Sequence, residues 1–181
     1  MKKIIKVISN CFVGLIIVVL LVLLLMNFSS KDDGLVKFGN YSLLDVNGNS
    51  MKPKLKNGDL IAIDRNLKEK YSVGDIVSFL VEVDDEYMIV THRIETVEKI
   101  NDIVRYTTKG IHNDEADSWM IKNNEIIGEY KGFRVPLIGY LVRGSRTEIG
   151  YLLLVVVPLG VVLLFSVYEL IKEISKKKGE V

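Results

Sequence analysis

The chain has 181 residues, which is enough for one domain with short appendages. Its formal net charge is +1 and 26% of its residues are charged, so the composition does not favour a nucleic-acid partner. The mean hydropathy of +0.25 is high for a soluble protein, and the apolar excess lies near the two ends of the chain.

The first apolar run covers residues 11–26, and four more aliphatic residues lie among residues 4–8. A bilayer core about 30 Å thick needs roughly 20 apolar residues in a helix, and this run reaches that length with its N-terminal extension. A cleaved signal peptide has a shorter apolar stretch and then a small-residue cleavage site, whereas MNFSSKDD follows here. We therefore predict an uncleaved membrane anchor over residues 1–28, with a cleaved signal peptide as the alternative.

The second apolar run, residues 149–168, is uncharged and long enough to span a bilayer directly. It contains Pro158, which a membrane helix tolerates. A buried helix of a soluble domain is the alternative, and the basic segment that follows makes it less favourable. We predict a transmembrane helix over residues 148–170 and a basic cytoplasmic tail over residues 171–181.

The positive-inside bias sets the predicted orientation. Lysines lie on the terminal side of both runs: Lys2, Lys3, Lys6, Lys172, Lys176, Lys177 and Lys178. Both termini are therefore expected in the cytoplasm of a multi-pass protein of the cell membrane, with residues 29–147 outside. The single cysteine, Cys11, lies in the first run, so we expect no disulfide in the outer domain, which favours a prokaryotic surface.

The segment between the two runs has the pattern of short strands separated by turn residues. The predicted strands cover residues 41–46, 59–65, 75–83, 86–100 and 103–110, and residues 125–135 are expected to form a last strand pair. Asn101-Asp102 is predicted to form a hairpin turn. The outer domain is therefore predicted to be a small, mainly β fold.

The loop NGNSMKPKL, residues 47–55, contains a serine that could act as a nucleophile if a base removes its proton. The chain offers only His92 and His112 as histidine bases. Alternation places His92 on one strand face with apolar neighbours, where burial favours the neutral, proton-accepting imidazole. The alternative is a core histidine without catalytic function, and His112 fits an exposed loop residue.

A third group could orient the imidazole, and the segment after the strand at 103–110 supplies Asp114, Glu115 and Asp117. Clustered acids of this kind are more often solvated loop residues. A lysine base would have to be buried, whereas Lys52 and Lys54 look like exposed loop charges. No metal-ligand spacing and no phosphate-binding loop is present, so we expect no cofactor or metal.

Five boxes, in this order, resemble the type I signal peptidases: NSMKPKLKNGDLIAI, YSVGDIVSF, VTHRI, YTTKG with the acids after it, and IIGEYKGFRVPLIGYL. The resemblance is closer to the endoplasmic-reticulum-type branch, which is shared by archaea, eukaryotes and the SipW proteins of Gram-positive bacteria. It covers nearly the whole chain. The pairing of S-M-x-P with T-H-R-I is specific, because the usual bacterial branch has lysine where this chain has histidine.

The resemblance implies that Ser50 is the nucleophile, His92 the general base and Asp117 the orienting acid, with Asp114 as the second candidate for that acid. Two residues depart from the family pattern. Asn49 stands where the family usually has glycine, and Ile111 stands where an aspartate commonly follows T-K-G. The second departure puts one supporting acidic contact in doubt.

The implied fold is a signal-peptidase-type β catalytic domain flanked by two transmembrane helices. The implied function is a membrane-bound serine endopeptidase that removes signal peptides from exported preproteins by a Ser-His(-Asp) acyl-enzyme mechanism. The partners would be signal-peptide-bearing preproteins and the lipid bilayer, and the resemblance also suggests the secretion translocon, but no nucleic acid. Met51 is expected to reach into the substrate groove or the lipid surface, and residues 135–141 to lie on the membrane surface or to form a buried strand.

Two other functions remain as alternatives. A non-catalytic relative could act as an assembly factor or chaperone for surface or pilin-like proteins, and the departures at Asn49 and Ile111 leave that hypothesis open. A self-cleaving regulator of the related serine–lysine kind is disfavoured by the two apolar runs and by the missing lysine.

Overall fold

The computed structural model describes residues 13–14, 16–22, 35–83 and 86–178. One compact unit spans Asp32–Tyr140, and the other consists of Met1–Lys31 and Leu141–Val181. The predicted domain boundaries at residues 28, 147 and 170 stay predictions.

The first unit is built on an eight-stranded sheet in which every described pairing is antiparallel. The strands are β1 (Val36–Phe38), β2 (Tyr41–Asp45), β3 (Leu60–Asp64), β4 (Ile76–Val83), β5 (Glu86–Ile100), β6 (Ile103–Lys109), β7 (Met120–Lys122) and β8 (Ile126–Val135). Their order in the sheet is β1-β2-β3-β8-β4-β5-β6-β7. The prediction of a mainly β domain is confirmed.

Most strands agree with the alternation in the sequence, and β5 has the predicted bounds. The β5–β6 turn is also as predicted, since Asn101 and Asp102 have φ of 50° and 62°, the positive values that a tight two-residue hairpin requires. The sequence did not predict β1 or β7. Each has only three residues, which is too short for a recognisable alternation.

The prediction of a strand pair at residues 125–135 is wrong. This segment is the single strand β8, which lies in the middle of the sheet and pairs with both β3 and β4. Its two neighbours are sequential in the chain, and each of the two pairings contains one register irregularity. Sequence alternation could not reveal this, because the pairing depends on a connection that returns from the far edge of the sheet.

Two apolar clusters stabilise the sheet, and each buried Leu, Ile, Val or Phe side chain contributes about 1.5–3 kcal/mol. The first consists of Tyr71, Val77, Phe79, Val81, Ile94, Tyr106, Ile121 and Ile126. The second consists of Leu35, Leu44, Met51, Leu55, Ile61, Ile63 and Ile76. The second cluster includes residues of the β2–β3 loop, so the core itself anchors that loop.

A group of charged side chains lies beside the first cluster. Glu129 is almost fully buried and its carboxylate accepts from Lys68 Nζ at 2.8 Å and from Lys131 Nζ at 2.9 Å. Lys68 also lies 3.3 Å from the carboxylate of Asp75. The hydrogen bond to Glu129 raises the pKa of Lys68, and burial raises the pKa of the neighbouring Tyr71 phenol.

The second unit is helical in its C-terminal part. Helix α1 (Ile138–Ser145) begins at the end of the first unit and is followed by α2 (Glu148–Tyr151), a π-helical segment (Leu152–Val156) and α3 (Val157–Lys178). The hydroxyl of Thr147 caps α2 by accepting from the backbone N–H of Gly150 at 3.1 Å. Among the described residues, Glu148–Glu169 is the one helical stretch long and apolar enough to cross a membrane, with a mean hydropathy of 2.6.

The π-helical segment directly precedes Pro158. Proline lacks a backbone N–H, and its ring clashes with the carbonyl four residues earlier, here that of Leu154. The wider π turn over Leu152–Val156 places the irregularity where this clash would occur, so the helix continues through the proline.

Two other expectations concern the ends of the sheet unit and the chain. Most of the predicted anchor at residues 1–28 lies outside the described residues. Its described part, residues 13–14 and 16–22, is helical. Residues 135–141 do not form a buried strand, because β8 ends at Val135 and α1 begins at Ile138. Leu137 is exposed with a φ of 66°, a turn conformation that ends the strand. A membrane-surface position for this segment stays a prediction.

Candidate active site

The serine-bearing loop connects β2 to β3 and is closed at its base by backbone hydrogen bonds. Val46 N donates to Asp59 O at 2.8 Å, and Gly58 N donates to Val46 O at 3.0 Å. Inside the loop, Lys52 N donates to Asn49 O and Leu55 N donates to Met51 O, both at 3.0 Å. The loop is therefore a compact turn rather than a flexible connection, and it presents a partly exposed Ser50.

Met51 is 2% exposed and packs in the second core cluster. The expectation that it reaches into a substrate groove or the lipid surface is wrong. Its side chain and that of Leu55 point into the core, where apolar burial fixes the turn from below. Ser50 precedes this anchor directly, so its position is determined by the packing of Met51.

Asn49 occupies an ordinary backbone position. It is exposed, and it is not among the described non-glycine residues with positive φ. The backbone there does not require glycine, so the departure from the family pattern introduces no strain into the loop.

A partly buried ion pair fixes the far end of the loop. Asp59 is 2% exposed, and its Oδ2 accepts from the backbone N–H of Lys56 at 2.7 Å and from Arg134 Nη1 at 3.2 Å. Arg134 Nη1 also donates to the carbonyl of Lys54 at 3.1 Å. Strand β8 therefore binds the loop through one guanidinium, and the carboxylate has the partners that its burial requires.

The same part of the loop packs against the residues that follow β8. Gly139 N donates to Gly58 O at 2.9 Å, and a Cβ at Gly139 would lie 2.5 Å from the carbonyl oxygen of Asp59. Gly58 has a φ of 85°, and a Cβ there would overlap the ring of Tyr140. Gly139 needs to be glycine because its backbone touches that of Gly58 and Asp59, whereas Gly58 needs to be glycine because of its positive φ and the adjacent Tyr140 ring.

His92 lies on β5 opposite Val77 and is 7% exposed, on the buried face that alternation predicted. Its Nε2 is 3.0 Å from Ser50 Oγ, and its Nδ1 is 2.6 Å from Asp117 Oδ2. A carboxylate can only accept, so Nδ1 carries a proton. In the neutral imidazole Nε2 then accepts from the Ser50 hydroxyl.

Asp117 comes from the loop between β6 and β7, and its backbone N–H donates to Thr108 O at 2.8 Å. Its Oδ2 also accepts from the Thr108 hydroxyl at 2.5 Å. Asp114 is exposed, and its backbone carbonyl accepts from Lys109 Nζ at 2.9 Å. Of the two candidate acids, Asp117 is therefore the one in contact with His92.

The β6–β7 loop also contacts the backbone of the serine. His112 N donates to Ser50 O at 2.7 Å, while the His112 side chain is exposed. A Cβ at Gly110 would lie 2.7 Å from Ser50 O and 2.8 Å from Ser50 Cβ, so only glycine fits there. Ile111 stands where the family commonly has an aspartate, and it packs against the second core cluster.

The three candidate residues come from three separate segments and form one chain of hydrogen bonds. Such an arrangement can deprotonate an alcohol and stabilise the resulting imidazolium. In the part of the chain that is described, no group of three or more His, Cys, Asp or Glu side chains could bind a metal ion. Sequence reasoning missed Thr108 and gave no role to the glycine of T-K-G, although the buried position of Thr108 on β6 follows from alternation.

Comparison with known proteins adds independent information. The profile of the Peptidase S24-like family matches residues 27–128. The chain is 33% identical over 135 residues to "Signal peptidase I W" of Bacillus subtilis (strain 168), covering 72% of this chain and 68% of that protein. It is 30% identical over 125 residues to "Signal peptidase complex catalytic subunit SEC11C" of Homo sapiens, covering 63% of each. The same similarity holds for that subunit from Mus musculus. The chain thus spans about two thirds of the length of these relatives.

Proposed function

We propose that this chain, which belongs to the Peptidase S24-like family and to the type I signal peptidases of the endoplasmic-reticulum and archaeal branch, is a membrane-bound serine endopeptidase. It would remove N-terminal signal peptides from exported preproteins. The observation that supports this most is the hydrogen-bonded chain from Ser50 through His92 to Asp117.

In the proposed reaction, Ser50 Oγ attacks the carbonyl carbon of the peptide bond after the signal peptide while His92 Nε2 takes its proton. The tetrahedral intermediate collapses to an acyl-serine, and the imidazolium donates its proton to the leaving amine. Water then attacks the acyl-serine with His92 again as the base. Asp117 accepts from Nδ1 throughout, which keeps the imidazole oriented and stabilises its charged form.

Exposure supports this division of roles. Ser50 is partly exposed, whereas the His92 and Asp117 side chains are 8% and 6% exposed. A peptide can therefore reach the hydroxyl while the base and the acid remain shielded from water. This shielding strengthens the electrostatic interaction between His92 and Asp117. The backbone N–H of Ser50 is the default donor to the oxyanion. We propose that the signal peptide binds as an added strand, a known mode of peptide docking.

We further propose that the helix containing Glu148–Glu169 spans the cell membrane, that the sheet unit lies outside the cytoplasm, and that residues 1–28 form a second span. Membrane attachment would place the site where a substrate's own apolar helix leaves the bilayer. The catalytic subunits named among the relatives belong to a signal peptidase complex, so partner subunits are part of the proposal.

The decisive experiment uses the full chain purified in detergent, with a preprotein carrying a signal peptide. The wild type should release mature product with a new N-terminus after a small residue, as determined by mass spectrometry, and Ser50→Ala should release none. Equal release by both proteins would contradict the role of Ser50. If a folded wild type binds preprotein but releases no product, the non-catalytic assembly factor becomes the better explanation.

A further inference from the structure

The hydroxyl of Thr108 lies directly behind Asp117. Thr108 is fully buried on β6, and its Oγ1 is 2.5 Å from the carboxylate oxygen Oδ2 of Asp117. The same oxygen lies 2.6 Å from His92 Nδ1. One carboxylate oxygen thus receives two hydrogen bonds, one from the imidazole and one from the threonine.

The direction of the threonine bond follows from the chemistry of the pair. An ionised carboxylate has no proton to give, so the hydroxyl donates. Hydrogen bonds from a hydroxyl to a carboxylate are short and strong because the acceptor is charged. The Asp117 side chain is 6% exposed and has little access to water, so the threonine hydroxyl replaces a solvating water molecule.

A second bond between the same two residues makes the contact rigid. The backbone N–H of Asp117 donates to the carbonyl of Thr108 at 2.8 Å, so backbone and side chain together close a ring between them. Threonine is branched at Cβ and has few χ1 rotamers, and Thr108 is held in the β5–β6 ladder opposite Ile94. Rotation of the carboxylate away from His92 would break the hydroxyl bond.

We propose that Thr108 is a positioning residue, which holds the Asp117 carboxylate in the orientation that accepts the Nδ1–H of His92. This inference rests on the proposed peptidase function. The Thr108 hydroxyl is fully buried and bonds to Asp117 rather than to the reacting oxygen of Ser50. It acts through Asp117 on the chemical step, so its loss should lower kcat and leave KM nearly unchanged.

The test compares Thr108→Val, which keeps the shape and removes the hydroxyl, with Thr108→Ser, which keeps the hydroxyl. Thr107→Val is the matched control, because Thr107 is the adjacent residue of β6 and faces the opposite side of the sheet. Thr108→Val should lower kcat by about 10- to 100-fold, since small misplacements of catalytic groups have effects of this size. KM should stay within about twofold, Thr108→Ser should recover most of the activity, and Thr107→Val should match the wild type.

A second readout does not depend on activity. The Nδ1 proton of His92 in its hydrogen bond to Asp117 should give a downfield proton resonance in the full-length protein in micelles, and Asp117→Asn identifies the signal. Thr108→Val should shift or broaden this resonance, while Thr108→Ser and Thr107→Val keep it. The fluorescence of the single tryptophan, Trp119, checks that the adjacent loop remains folded.

The results separate the two proposals. If the wild type cleaves preprotein but Thr108→Val keeps its kcat and its resonance, the role of Thr108 is wrong and the peptidase function stands. If Thr108→Ser is as impaired as Thr108→Val, the methyl packing rather than the hydroxyl matters, which also contradicts the proposal. If the wild type cleaves nothing, the peptidase function fails, and an unchanged resonance in Thr108→Val would refute the positioning role as well.

Discussion

The backbone N–H of His112 donates to the carbonyl oxygen of Ser50 at 2.7 Å, so the loop after β6 is attached to the main chain of the candidate nucleophile itself. The same loop supplies Asp117, which contacts His92. The serine, the histidine and the acid are therefore positioned by mutual contacts as well as by the strands that carry them.

The two histidines should differ sharply in their importance. His92→Ala should lower kcat/KM by about 10⁴-fold or more, because the serine then has no base. His112→Ala should retain activity, since its contact with Ser50 is made by the backbone N–H, which alanine keeps. Initial rates of preprotein cleavage by the full-length proteins in detergent measure both effects. Comparable losses in the two variants would argue against His92 as the base.

The two candidate acids can be separated in the same way. Asp117→Asn should lower kcat by about 10³- to 10⁴-fold, because an amide can donate to Nδ1 and so favour the wrong imidazole tautomer. Asp114→Asn should be close to the wild type, because Asp114 is exposed and only its backbone carbonyl makes a described contact. The comparison requires kcat at saturating preprotein. A larger loss in Asp114→Asn would transfer the role of the acid to that residue.

Gly110→Ala should reduce activity without removing any functional group. The added Cβ would lie 2.7 Å from Ser50 O, so either the serine or the β6–β7 loop must move. A displacement of about 1 Å costs roughly 10²-fold in rate. Gly160→Ala is the control, because a Cβ there meets open space. Cleavage rates measure the effect, and Trp119 fluorescence shows whether the fold persists. Full activity in Gly110→Ala would mean that the close approach of Gly110 to Ser50 does not position the serine.

Lys68 should stabilise the fold in a pH-dependent way. Its pKa is raised in the folded state, mainly by the hydrogen bond to Glu129, so its contribution is complete below the unfolded pKa of about 10.4 and is lost as pH rises through the higher folded value. Lys68→Met should therefore lower the free energy of unfolding by about 1 kcal/mol or less at pH 7–9, since the side chain is 40% exposed and screened by solvent.

Denaturant unfolding in detergent, followed by Trp119 fluorescence, tests this. The difference between wild type and Lys68→Met should shrink above about pH 10.5. Lys99→Met is the control, because its ion pair with Asp102 is largely exposed and should contribute little at any pH. If the difference in free energy of unfolding between wild type and Lys68→Met grew with pH, the result would contradict the predicted role of Lys68.

The proposed topology predicts two different labelling patterns. In a Cys11→Ser background, which removes the single native cysteine, Ser72→Cys should react with a membrane-impermeant maleimide on intact cells. Ser175→Cys lies beyond the candidate span, so it should react only after the membrane is permeabilised. Both positions are exposed in the structure, so accessibility within the protein does not distinguish them. Labelling of both on intact cells would contradict the cytoplasmic tail.

How far the site could be predicted depended on the range of the interactions involved. The buried face of His92 follows from alternation within one strand, which is a local property. Within the sequence, only the resemblance distinguishes Asp117 from Asp114, because the loop that carries both is shaped by contacts with Thr108 and Ser50. Those contacts join distant parts of the chain and leave no local pattern.

The fold shows the same limit. The strands from β2 to β6 follow from apolar alternation and turn residues, and their existence was predictable. The central position of β8 was not, because it depends on which strands the chain meets when it returns from β7 at the edge of the sheet. Met51 illustrates the point in a single residue. A methionine in a polar loop suggests an exposed side chain, but the Met51 side chain packs in the second core cluster.

The contact of Gly58 and Asp59 with Gly139 and Tyr140 has a consequence for engineering hybrids. The two sequence positions 58 and 139 form one steric unit, so neither can be varied without regard to the other. A chimera that exchanges the C-terminal apolar helix between relatives should therefore have its junction after Tyr140. A junction inside β8 would pair a foreign segment with the native serine loop and bring side chains where two backbones must touch.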